Sequence, residues 1–294
     1  MAAQSPVIVE KGSWERLTAG DLLSNLLVYA LLTLLSIIFL FPFFWMVTTA
    51  LKPEYQIFQW PPQWIPDPVQ WSNFVVAFGN PQLPFARFIM NTMLLEVTMI
   101  TGRLLSVTLV AYGFARLRAP GKNLLFTILL ATLLLPDAAV LIPRYLLFTE
   151  LGWINTYLPL IVPAWFGNAY AIFLFRQFFQ TIPRDLEESA IIDGANTWQI
   201  IRNIIIPLSI PVYVVIIIFS FKDIWNWLME PLIYLNQTHQ YTVAVGLAYF
   251  NGQNTVAMGP LMAASVALVL PIIILFFFTQ RAFVEGIQMT GLKG

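Results

Sequence analysis

Few residues in this chain could do chemistry, and most of them stand inside apolar runs. Glu96 and Arg103 are seven residues apart in one run, which puts both on one face of a helix. Lys222 and Asp223 lie in another, three residues before Trp225-Asn226, and Asp137 follows Pro136 in a third. A charge inside a membrane must find a partner before it can do anything else, so Glu96 and Arg103 are expected to neutralise each other or to pair with a neighbouring subunit. Lys222 and Asp223, being adjacent, are expected to point in different directions, and access to water would make both tolerable. Asn91, Asn168, Trp225, Asn226 and Trp227 offer the amides and aromatic faces that bind sugars. With Lys222 and Asp223 they are the candidate substrate pathway, though tryptophans also anchor at membrane boundaries and asparagines also join helices.

Catalytic sets are missing from the sequence. There is no G-x-x-x-x-G-K-[ST] phosphate loop, since Gly121-Lys122-Asn123 lacks the earlier glycine and the hydroxyl, and no G-x-S-x-G. A single histidine, His239, and no cysteine leave no thiolate or multi-histidine metal site. Formal net charge is zero, which argues against a nucleic-acid face.

The elements that would position these residues are membrane helices. Of 294 residues, 59% are hydrophobic and 10% charged, the composition of an integral membrane protein. Spans are expected at 24–49, 88–114, 124–142, 157–179, 209–229 and 260–282, each near the ~20 residues a helix needs to cross a bilayer. None has the alternation of a barrel strand. The first run is too long for a signal-peptide core and reads as a retained helix. Between the first two spans lies a Pro- and Trp-rich loop, 51–86, with one short helix expected near Trp71–Phe78. With the N-terminus inside, ten lysines and arginines fall on inner segments and three (Lys52, Arg87, Arg144) on outer ones, which predicts cytoplasmic tails at 1–23 and 283–294.

The longest polar interruption in the second half is 183–207. Pro183 suits the first position of a helix, and Asp185, Glu187 and Glu188 follow where negative charge meets its positive end. Gly194 is expected to end that helix, and Asn196 to cap a second, with Gln199 in the reciprocal position. Trp198, Ile201 and Ile205 form one stripe, and Pro207 is expected to stop the helix.

This hairpin resembles the EAA loop of the membrane subunits of ATP-binding-cassette importers. The matching residues are Glu188-Ser189-Ala190, Asp193-Gly194-Ala195, Ile204 and Pro207. Ser189 stands where the family carries Ala, and its small size preserves close packing. Further matches narrow the resemblance to the carbohydrate branch and its second maltose-type permease. They are Lys52-Pro53, Pro62, Pro66, Asn73-Phe74, Asn91-Thr92, the run Ala111-Tyr112-Gly113-Phe114-Ala115-Arg116, Gly152 with Asn155-Thr156, Trp225-Asn226, and the tail Phe283–Gly286 and Gly291–Gly294.

The resemblance implies an all-α membrane protein with six transmembrane helices, the type I importer permease fold. Its core would be 87–282, with 183–207 as a cytoplasmic coupling helix. It also implies a second permease subunit, two ATP-binding subunits that hold ATP and Mg, an external solute-binding protein and a sugar cargo. This chain would bind no cofactor of its own, and it would sit in a bacterial or archaeal cytoplasmic membrane. The rivals are an ion-driven secondary transporter, a membrane enzyme and a non-transporting assembly protein. The first predicts a repeat between halves, and none is visible, although Pro159 and Pro163 interrupt the fourth span.

Overall fold

A computed structural model describes residues 19–81, 83–252 and 258–291, with side chains from 23 to 280. The described residues are helical wherever they form regular structure. Fifteen α segments follow one another: α1 (Ala19–Ala50), α2 (Glu54–Ile57), α3 (Ser72–Gly79), α4 (Phe85–Arg116), α5 (Lys122–Ala131), α6 (Asp137–Glu150), α7 (Leu158–Ala164), α8 (Ala169–Thr181), α9 (Asp185–Ile192), α10 (Thr197–Ile200), α11 (Ile206–Leu208), α12 (Ile210–Trp225), α13 (Met229–Tyr234), α14 (Val243–Gly252) and α15 (Met258–Gly291). Four helical stretches are long and apolar enough to cross a membrane, or six if each of two bent pairs is one span.

The bends are corrections to the expected straight spans. The third span breaks after the 3₁₀ turn Thr132–Leu134, and the segments on either side meet at 100°. Pro136 stands at the break because it has no N–H to continue the helix, and Asp137 opens α6 with its side chain exposed. Helix α12 ends at Trp225, short of the expected Met229. Pro207 does not stop its helix, which passes through a π-helical turn, Ile201–Ile205, and ends at Leu208. The chain then bends by 76° into α12. The stretch after 229, for which the sequence suggested no element, holds α13 and α14. Of the expected tails, 1–18 and 292–294 lie outside the described residues, and α15 stays helical through Gly286 to Gly291.

Helix α4 is the axis. It is unbroken over 32 residues, and both buried clusters form along it. Phe85, Phe88, Leu95 and Met99 join a cluster with Tyr234, Val245, Ala263 and Leu268 from α13, α14 and α15. Val107, Ala111 and Ala115 join a second cluster with Phe175 and Phe179 of α8 and Ile200, Ile201 and Ile205 at the hairpin. Helix α1 packs chiefly on α15 and leaves a broad apolar surface from Leu23 to Phe44.

The quoted motifs tie this bundle together through side-chain-to-backbone bonds. Asn73 donates to the carbonyls of Ala50 and Lys52, both at 2.9 Å, closing the 51–86 loop onto the end of α1. Asn91 donates to His239 O and Tyr241 O, and Thr92 Oγ1 accepts from the Val243 N–H. Asn155, at φ 63°, accepts from the Asn236 N–H at 2.7 Å and fastens 151–157 to the segment after α13. Lys52 itself is buried over the Trp45 ring, and desolvation pushes its ammonium below the usual lysine range.

Gly246 marks the tightest approach of α14 to α4, since a Cβ there would collide with the fully buried Phe88 ring. Gly246→Ala should therefore destabilise the detergent-solubilised protein by about 1–3 kcal/mol through overpacking. At Gly113 a Cβ would meet open space, so Gly113→Ala should hold or raise stability by up to about 1 kcal/mol. Thermal unfolding of the two variants side by side checks both.

Candidate coupling hairpin and polar cleft

The segment 183–207 folds as a closed unit because its turn satisfies its own backbone. Helix α9 starts at Asp185, two residues after Pro183 rather than at it, and carries Asp185, Glu187 and Glu188 in its first turn. It ends at Gly194, whose φ of +83° only glycine adopts cheaply. The Gly194 N–H donates to Ile191 O at 3.0 Å and the Ala195 N–H to Ala190 O at 2.9 Å, the pair of bonds that defines a Schellman turn. The next residue opens the second arm. Asn196 and Gln199 form the expected capping box, with the Gln199 N–H donating to Asn196 Oδ1 at 2.9 Å and the Asn196 N–H to Gln199 Oε1 at 2.7 Å.

The hairpin has an inner and an outer side. Ile200, Ile201 and Ile205 are buried, and Ala190, Ala195 and Ile206 pack beside them. The expected stripe is divided: Trp198 is 55% exposed, whereas Ile201 and Ile205 are buried. Ile192 is 85% exposed, and Leu186 and Ile191 are exposed too. Of the residues carrying the resemblance, Glu188, Ser189, Asp193, Gly194 and Pro207 are exposed, while Ala190, Ala195 and Ile204 are half-buried. The outer side thus combines apolar side chains with Asp185, Glu188 and Asp193.

Sequence reasoning missed how the inner side is held. Glu187 points inward and meets Arg116 of α4, with Arg116 Nε 2.6 Å from Glu187 Oε1. Tyr112 donates its hydroxyl to Glu187 Oε2 at 3.3 Å, and Arg116 Nη2 donates to Ile182 O at 2.7 Å. The signal was present, since Tyr112 and Arg116 are four residues apart on one face of α4.

The second group of candidates lies between α4, α12 and the helices after it. Glu96 and Arg103 do not neutralise each other directly. Arg103 reaches across to α12 and donates to Ser220 Oγ at 2.8 Å, while the buried Glu96 carboxylate has no hydrogen-bond partner among the described residues. Lys222 and Asp223 do pair, at 3.5 Å, because both side chains are about two-thirds exposed and the lysine can fold back along the helix. Trp225 is buried and donates to Leu268 O, Asn168 caps α8 by accepting from the Ala171 N–H, and Asn91 is bonded as above. The polar atoms of these three therefore serve the fold. Trp227 donates to Glu230, which pairs with Arg144 at 3.9 Å.

Beside Asn226 a cleft of about 510 Å³ opens between α12, α14 and α15. Its walls are largely apolar, with Asn226, Asn251 and Ser265 as its polar groups. Asn251 and Ser265 were not anticipated, and the only sequence signal was an amide and a hydroxyl within apolar helices. Among the described residues no group of three or more His, Cys, Asp or Glu could hold a metal ion.

Comparison with known proteins agrees with this architecture. Residues 107–288 match the family described as the binding-protein-dependent transport system inner membrane component. The chain is 31% identical over 272 residues to the probable ABC transporter permease protein YurM of Bacillus subtilis, covering 91% of this chain and 88% of that one. It is 29% identical to the arabinooligosaccharides transport system permease protein AraQ of the same species, over 89% of this chain and 93% of the relative. It is 32% identical to the maltose/maltodextrin transport system permease protein MalG of Escherichia coli K12, over 78% of this chain and 83% of the relative. Among solved structures, a bacterial ABC transporter involved in the import of the acidic polysaccharide alginate superposes with a TM-score of 0.81 at 21% identity, covering 90% of this chain and 98% of that one. The chain belongs to the family of binding-protein-dependent transport system inner membrane components: it is a multi-pass permease subunit of an ABC importer.

The capping box gives a test of the hairpin itself. Asn196→Ala should loosen the second arm by about 1 kcal/mol, so that amide exchange at 197–200 speeds up roughly fivefold while α4 and α8 are unaffected. Hydrogen exchange on the solubilised protein reads this directly.

Proposed function

We propose that the hairpin is the docking element for a separate ATP-hydrolysing subunit, and that the permease passes a carbohydrate inward. The observation that carries this reading is the outer side of the hairpin. Leu186, Ile191, Ile192 and Trp198 are exposed on a hairpin whose turn is closed by its own backbone bonds and capping box, a surface with apolar anchors and an acidic rim. Glu188, Ser189, Ala190, Asp193, Gly194, Ala195, Ile204 and Pro207 are the residues assigned to coupling. A gradient-driven carrier would leave that surface without a use.

The rest of the assembly follows from the family. A second permease completes the passage, two cytoplasmic subunits hold ATP and Mg, and an external solute-binding protein delivers cargo. Both termini lie on the cytoplasmic side with the hairpin, as the lysine and arginine distribution favours. The names of AraQ, MalG and the alginate transporter support a sugar or oligosaccharide as cargo. Lys222 and Asp223 are exposed on an apolar span, so their face of α12 meets water or a partner rather than lipid. With Asn226, Trp227 and the adjoining cleft they line one wall of the passage, and Asn91, Asn168 and Trp225 hold that wall in shape.

The test is transport by the complete complex in vesicles, with ATP hydrolysis measured in parallel. A left-handed residue costs about 1–2 kcal/mol without glycine, and more if β-branched, so Gly194→Val should lower transport roughly tenfold while Gly194→Asn keeps most of it. Normal transport by Gly194→Val would contradict the coupling role. Alanine at Lys222, Asp223, Asn226 and Trp227 should reduce transport while the complex still assembles, and wild-type transport from all four would end the pathway assignment.

A further inference from the structure

The run Ala111–Arg116 closes α4, yet nothing in the docking role uses its tyrosine or its arginine. We propose that the Arg116–Glu187 ion pair, with Tyr112, is the joint that carries displacement of the hairpin into α4. Tyr112, Arg116 and Glu187 are then positioning residues of the transport cycle, an inference that rests on the coupling role of the hairpin.

The geometry is that of a clamp. One guanidinium holds the carboxylate of α9 at 2.6 Å and the carbonyl of Ile182, on the chain entering α9, at 2.7 Å. Tyr112 holds the second carboxylate oxygen, so Glu187 is gripped on both sides. The side chains of Arg116 and Glu187 are only 6% and 11% exposed. A pair so enclosed is little screened by salt, and it depends on geometry in a way an exposed pair does not. Arg116 also sits in the last turn of α4, where the negative end of the helix favours a cation.

The other attachments of the hairpin are compliant. Its other inner contacts to α4 and α8 are apolar and non-directional, so they can slide. Its exit into α12 runs through the π-helical turn and the 76° bend at Ser209, flanked by Pro207 and Pro211. Two missing N–H groups at a bend make a hinge rather than a rod. Rigidity lies on the α4 side alone. Helix α4 is unbroken for 32 residues, roughly 48 Å. Along that length it carries Arg103, which grips Ser220 one turn from Asp223. A push on Glu187 therefore reaches the charged wall of α12 through the enclosed ion pair, one rigid helix and the Arg103–Ser220 hydrogen bond.

Charge reversal in the assembled importer tests the joint. Arg116→Glu and Glu187→Arg, each alone, should leave a complex that hydrolyses ATP but moves roughly tenfold less cargo per ATP. The double reversal should return that ratio to within about threefold of wild type, and Tyr112→Phe should lower it less than either single change. If a single reversal fails to insert, the apolar pair Arg116→Met/Glu187→Leu keeps the packing without the ion pair. That double variant should assemble and still couple poorly. A wild-type ratio of transport to hydrolysis in the apolar pair, or a double reversal that restores assembly but not the ratio, would overturn the proposal. Gly194→Val measured alongside separates the two ideas. Loss of transport there with normal coupling in the clamp variants removes only the joint, whereas normal transport in Gly194→Val removes the docking role beneath it.

Discussion

In lipid an unpaired backbone amide has no water to turn to, and that constraint shapes the breaks within the spans of this fold. Where the third span is interrupted, the Ala139 N–H finds Pro136 O; at Ser209 the N–H finds Ile205 O and Ile206 O. Where α7 gives way to α8, the Asn168 side chain supplies the missing acceptor. Outside the spans the hairpin is closed in the same way, its turn folding on itself through a Schellman pair and a capping box. A turn that needs no outside hydrogen bonds can present its side chains to another protein without first rearranging.

The second organising feature is the contrast between one straight helix and several broken ones. Helix α4 touches both buried clusters and anchors α14 through Thr92 and Phe88. The third and fifth spans bend, and the fourth is interrupted at 165–168. Motion in such a bundle falls naturally at the bends, with α4 as the element against which it is measured. Buried polar contacts of α4 then decide which bends are driven, because apolar packing alone has no direction.

Much of this was legible in the sequence. Hydropathy located the apolar runs that form four membrane-length helical stretches and two bent pairs, since length and apolarity are what the bilayer selects. The hairpin was legible down to its capping box, because glycine and Asn-x-x-Gln act locally. The bends at 134–137 and 209 were not, since proline is compatible both with ending a helix and with redirecting it, and tertiary packing decides which. Helices α13 and α14 were missed because their apolar runs are short and gain stability only by packing, α13 against α6 and α7 and α14 against α4 and α15. Motifs such as Asn73, Asn91 and Asn155 could be matched by likeness, but their use as staples between distant segments depends on contacts up to 150 residues apart. Glu187 was legible as a helix-start acid, not as the partner of Arg116, for the same reason.

The central claim is that the outer side of the hairpin meets an ATPase. The chain has no cysteine, so a single thiol can be introduced without background. Ile192→Cys, at the most exposed apolar position of the hairpin, would be carried in the assembled complex and treated with a short thiol-to-amine cross-linker. The account predicts one dominant adduct, between this chain and the ATP-hydrolysing subunit. An introduced thiol that reacts freely with soluble reagents in the same complex, and yields no such adduct, would contradict it.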